Sequence, residues 1–86
     1  MAQRRYWPTG VTALKTELEA GLTFSRLALT SKNRNTKVRN TANARKAYDT
    51  GKRWVDKVTL SPIDSEEISA NFQRLAAALA KLEPKM

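Results

Sequence analysis

The stretch ANARKAYDTGKRWVDKV, residues 42–58, decides the fold, because its single glycine either ends a helix or sits inside one. Ala44, Ala47, Tyr48, Gly51, Trp54, Val55 and Val58 recur at steps of three and four, the spacing that places residues on one face of a helix. A glycine inside a helix costs about 1 kcal/mol relative to alanine. The alternative ends the helix at DTGK, with Gly51 as its C-cap. The apolar period passes through the glycine without a change of phase, so one continuous helix over roughly residues 36–58 is the preferred reading. Something must then compensate for Gly51, and close approach of a neighbouring helix is the expected reason.

Working outward, Val11, Leu14, Leu18, Leu22, Ser25 and Leu29 mark an earlier helix over roughly residues 10–30, after punctuation by Pro8 and Gly10. Thr9 or Thr12 can cap it. The stretch TSKNRNT that follows offers turn-formers and no apolar residue. On the other side, SPIDSEE reads as a helix start. Ser61 precedes Pro62, which suits the first helical position, and Asp64, Glu66 and Glu67 complement the positive helix end. Ile68, Phe72, Leu75, Leu79 and Leu82 then form the stripe of a third helix over roughly 62–83, ended by Pro84. No segment alternates with period two, so no strand is expected. The sequence therefore predicts one all-α domain over 1–86, a small three-helix antiparallel bundle with a short irregular N-terminal segment. Its expected core is Leu14, Leu18, Leu22, Leu29, Tyr48, Val55, Ile68, Phe72, Leu75, Leu79 and Leu82, with Trp54, Tyr6 and Trp7 closing its ends.

Composition bounds the chemistry. At 86 residues the chain buries only about 60–65% of its unfolded surface, so the core is thin. There is no cysteine to staple it, which fits a reducing compartment. There is no histidine either, so a transition-metal site is not expected, and the commonest general base is missing. The eight acids form no cluster suited to catalysis or to calcium, and three scattered glycines make no phosphate loop. The expectation is a protein that is not an enzyme and has no cofactor. No run of about 18 apolar residues exists, so no membrane span is expected. MAQRRYWPTG has no apolar segment after its arginines and does not read as a secretory signal, which leaves a soluble cytoplasmic protein as the expectation.

The net charge of +8 is concentrated. Residues 31–60 hold nine basic and two acidic groups, whereas residues 61–86 hold three and four. KNRNTKVRNTANARK, residues 32–46, has six basic side chains and no acid, and no acid occurs between Glu19 and Asp49. On the second helix Arg39, Lys46, Arg53 and Lys57 fall within about 40° of one another. Arg45, Asp49, Lys52 and Asp56 alternate in sign on the other flank and satisfy one another. Helix one has a surplus of a different kind: Ala13, Ala20, Phe24 and Leu27 lie roughly opposite its leucine stripe. That second face is either covered within the bundle or offered to a partner or a second copy of the chain.

Two stretches bear partial resemblances to known motifs. Phe24 to Thr41 resembles a helix-turn-helix motif at Leu27, Ala28 and Val38, and such a motif implies that Asn35, Thr36, Lys37, Arg39 and Asn40 face a DNA groove. It departs at Ser31, Lys32, Asn33 and Thr41. ANARKAYDTGKRW is similar to part of a tetratricopeptide helix pair through Ala-Tyr-x-x-Gly, but no 34-residue repeat follows. The functional expectation is a non-catalytic interaction module that docks on an acidic protein surface through the basic face of helix two. Lys37, Arg39, Lys46, Arg53 and Lys57 are the candidate charges, and Phe24, Leu27 and Trp7 the candidate apolar anchors. The alternative is nucleic-acid binding, with phosphates held by residues 32–57. Self-association through helix one is a further expected mode.

Overall fold

The computed structural model describes residues 9–83, which form three α-helices: α1 (Thr9–Thr30), α2 (Arg34–Val55) and α3 (Pro62–Leu82). They pack up, down and up as the small all-α bundle that the periodicity predicts. Tyr6 and Trp7, expected to close an end, lie outside the described residues.

Each boundary has a local cause. Asn33 caps α2 by accepting the Thr36 N–H at 2.9 Å, and the Asn33 N–H is in turn held by Ser31 Oγ at 3.1 Å. The helix therefore begins at Arg34, two residues earlier than the periodicity alone suggests. At its other end α2 stops at Val55 rather than near residue 58. The Lys57 N–H turns back to the Trp54 carbonyl at 2.8 Å, and Val58 packs beneath the start of α1, its Cγ1 2.8 Å from where a Cβ on Gly10 would lie. Ser61 caps α3 by accepting the Asp64 N–H at 3.1 Å, and Pro62 fills the first turn without leaving a donor unused.

Gly51 lies inside α2, buried, as the continuous reading requires. A Cβ there would lie 3.0 Å from Leu18 Cδ2 and 3.2 Å from the Phe72 ring, so α1 and α3 both press against the bare backbone. Gly21 repeats the arrangement on α1, where a Cβ would lie 2.7 Å from Leu75 Cδ2 and 3.0 Å from Ala47 Cβ. Gly21, Ser25 and Ala28 on α1 and Ala44, Ala47 and Gly51 on α2 are all buried, so small residues line both sides of this hairpin. Ser25 removes its own hydroxyl from the account by donating to the Leu22 carbonyl at 2.8 Å.

The core forms where the third helix joins that hairpin. Leu14, Leu18, Ile68, Leu75 and Leu79 are its largest fully buried side chains, each stabilising the fold by about 1.5–3 kcal/mol. Leu22, Phe24, Tyr48, Val55 and Phe72 pack against them while half-buried. Asn71, buried among them, accepts from Arg74 Nη1 at 3.3 Å. Leu29 is a correction: it lies on the same sequence stripe as Leu18 yet is 44% exposed. The reason is length. α3 ends beside α2, where Leu82 shares a groove with Val38 and Thr41 and Glu83 reaches Arg45. The last turn of α1 and the first two turns of α2 consequently have only the end of α3, at Leu82, near them, and α2 buries nothing before Ala44. Trp54, at 37% exposure, is likewise more open than its place on the stripe suggests.

Candidate interaction surface

The fold uses few of its charges. Lys15 on α1 donates to Asp64 Oδ1 at 2.8 Å and lies 3.5 Å from Glu67 Oε1, tying α1 to the start of α3. That hydrogen bond, with a second from Ser61, holds the Asp64 carboxyl below the usual carboxylate range. The same contact with Asp64 raises the Lys15 ammonium above its ordinary value. Arg45 donates to Glu83 Oε1 at 2.6 Å, lies 3.5 Å from Asp49, and rests 5.4 Å from the Tyr48 ring centroid. The Glu83 hydrogen bond raises the Arg45 guanidinium further into the range where it stays charged.

The remaining charge belongs to α2, which carries seven basic residues and one acid. Among the described residues, Arg45 alone of those seven makes an ion pair. Arg39, Lys46 and Arg53 are all exposed on the outer side of the helix, and Arg53 donates to Thr50 Oγ1 at 3.3 Å. Lys57 is exposed too, but it falls beyond the end of α2, so helical phase no longer aligns it with the other three. Lys37 stands elsewhere again. It lines a groove of about 540 Å³ at the open end of the hairpin, with Lys32, Arg34, Val38 and Leu82. Lys46 and Arg53 share a shallower depression of about 600 Å³ with Val38, Ala42 and Asp49.

The apolar candidates separate in the same way. Phe24 is half-buried and packs against the core cluster, whereas Leu27 is 48% exposed near the open end. Trp7 lies outside the described residues. Sequence periodicity missed Val38, the aliphatic residue that lines both the end groove and the α2 depression and is 61% exposed. Its signal was available: Val38 stands alone among polar residues from Ser31 to Thr41, with only the small Ala42 as an apolar residue three or four positions away. The helix-turn-helix resemblance needs that residue buried, so the structure overturns it.

Among the described residues no helix is long and apolar enough to cross a membrane. Compared with family models, with curated proteins and with solved structures, the chain matches none.

Proposed function

We propose that this chain is a non-catalytic module that docks on an acidic protein surface. The outer side of α2 supplies long-range attraction through Arg39, Lys46 and Arg53, while Leu27, Leu29 and Val38 at the open end of the hairpin supply apolar contact. The observation that carries the reading is the division of labour on α2, where seven bases stand against one acid and one of the seven is spent on an ion pair. Unpaired charge of this kind raises association rates more than it raises affinity, so the apolar end is a necessary part of the proposal.

Phosphate binding is the second reading, favoured by the acid-free tip formed by Lys32, Arg34, Lys37 and Arg39. Asp49 weighs against it, because it occupies the same depression as Lys46 and Arg53. A partner with discrete carboxylates can avoid that acid, whereas a continuous phosphate backbone following α2 meets it.

The test is fluorescence anisotropy with labelled oligoglutamate and labelled duplex DNA at about 50 and 200 mM salt, a range over which six to ten phosphate contacts lose roughly 10³–10⁵ in affinity. Oligoglutamate should bind at the lower salt and be lost in the Arg39→Glu/Arg53→Glu double variant, whose stability should stay within about 0.5 kcal/mol per substitution. Tight DNA binding that persists at the higher salt would replace this reading with the phosphate one. A collapse of the fold on charge reversal would mean that these side chains serve stability.

A further inference from the structure

We propose that the seam between α2 and α3 is a groove for a fourth helix, an amphipathic one that lays aliphatic side chains on Tyr48, Val55 and Phe72 and sets a carboxylate against Lys52. α1 packs extensively against both of the other helices, whereas α2 and α3 meet each other sparingly. An open groove of about 390 Å³ results, floored by Ile68 and closed at its lower end by Leu60.

The walls have helical dimensions. Tyr48, Lys52 and Val55 form one wall on successive turns of α2, spanning about 10 Å. Ser65, Ser69, Phe72 and Ala76 form the other, along about 16 Å of α3. Rows spaced at three and four residues are the ridges between which another helix packs, and a helix seated there would complete a four-helix bundle. Ser65, Ser69 and Ala76 are small and exposed, so an incoming backbone can approach the α3 wall closely. Two or three turns of helix fill the length.

Charge selects the occupant. Among the described residues, Lys52 is the one charged residue lining the groove. Its ammonium sits 5.3 Å from the Phe72 ring centroid and 5.9 Å from that of Tyr48, and the two rings meet edge to face at 5.6 Å. Resting over these rings places the ammonium at the rim, where a carboxylate on the incoming helix completes an ion pair beside an apolar floor. Lys52 stands at least about 100° around the α2 axis from Arg39, Lys46 and Arg53, so the groove is separate from the outer surface and either reading can fail without the other.

The experiment is an NMR titration of the isotopically labelled chain with two synthetic peptides of about 14 residues, roughly four helical turns. One places leucines on a single face beside a glutamate; the other has the same composition scrambled so that no face is apolar. Decanoate serves as a third probe, for a simple apolar acid. The amphipathic peptide should give saturable shifts at Tyr48, Lys52, Val55, Ser69 and Phe72. Ala76→Arg, at an exposed position of the α3 wall, should abolish them while the circular dichroism melt is preserved. Lys52→Glu should weaken binding about five- to tenfold, the effect of losing and reversing one exposed ion pair. Equal binding of the scrambled peptide, or shifts confined to Arg39, Lys46 and Arg53, would overturn the proposal, as would no saturation by about 1 mM peptide. Decanoate filling the groove where the peptide does not would assign it to a small apolar acid instead.

Discussion

Replacing Gly21 with alanine tests whether the α1–α2 hairpin is as tight as its small residues imply. The added Cβ would lie 2.7 Å from Leu75 Cδ2 and 3.0 Å from Ala47 Cβ. Carbon atoms pack comfortably at about 3.5–4.0 Å, so both contacts are short by roughly half to one ångström. Leu75 is fully buried and has little room to turn, and the Ala47 Cβ cannot move without its backbone. Relief therefore requires the two helices to part. Overpacking of this kind costs about 1–3 kcal/mol, and with two constrained neighbours the upper half of that range applies. Helix propensity offsets about 1 kcal/mol of it, since alanine is the better helix former. The net expectation is a loss of about 1–2 kcal/mol, or a melting temperature lower by roughly 5–15 °C for a domain of this size. Thermal and urea melts followed by circular dichroism measure it directly. A Gly21→Ala variant that melts higher than the parent would refute the reasoning, because propensity would then outweigh packing. A double-mutant cycle with Ala47→Gly isolates the contact with the Ala47 Cβ, and coupling of more than about 0.5 kcal/mol is expected between the two sites.

Leu18→Ala and Leu29→Ala should part company although both residues lie on one sequence stripe: urea melts should show a loss of about 2–5 kcal/mol for the buried Leu18 and less than about 1 kcal/mol for Leu29, which is 44% exposed. Ser61→Ala removes the oxygen that accepts the Asp64 N–H, and the same melts should register a loss of about 1 kcal/mol. The Lys15–Asp64 contact makes stability depend on pH at both extremes. Asp64 is depressed in the folded state, so its contribution is present above the unfolded carboxylate value of about 3.9 and is lost as pH falls through the depressed one. Lys15 is raised, so its contribution is present below about 10.4 and is lost as pH rises through the raised value. Urea midpoints followed across pH should show a shallower acid limb for Asp64→Asn than for the parent; identical limbs would mean that the contact contributes nothing.

The parts of the fold legible in the sequence were those written in repetition. Leu14, Leu18, Ile68, Leu75 and Leu79 each sit on a clear 3.6-residue stripe, and all five are buried. Gly51 was informative for the opposite reason, since a costly residue in a regular pattern implies a neighbour pressed against it. Leu29 and Val38 were less legible because their exposure depends on where α3 ends, a relation between elements distant in the chain. Ala28 and Gly21 were hard to find for a related reason. Small residues carry a weak hydrophobic signal, yet they set how closely two helices approach. The surface charges could be assigned to an element, but their grouping could not. Lys57 lost its alignment when α2 stopped at Val55, and Lys37 joined Lys32 and Arg34 around a groove that no single helical projection contains.

The close α1–α2 contact has a consequence for binding. A helix held by Ala44, Ala47 and Gly51 needs only a narrow strip of its circumference for the fold, so most of α2 is left facing solvent. Bulky core residues on that strip would have set the helices further apart and required more apolar surface on each flank. The narrow strip is what allows one helix to carry seven basic residues and remain part of a packed core. Stability and binding are thereby separated on α2. Substitutions at Ala44, Ala47 or Gly51 change helix spacing and should register in melting experiments, whereas those at Arg39, Lys46 or Arg53 should register only in binding. Tyr48, Val55 and Lys52 fall between these classes, since they pack at the α3 seam while lining its open groove. A substitution there that changed both stability and binding would follow from this geometry, which is why the groove is better tested at Ala76, on its rim, than at its aromatic wall.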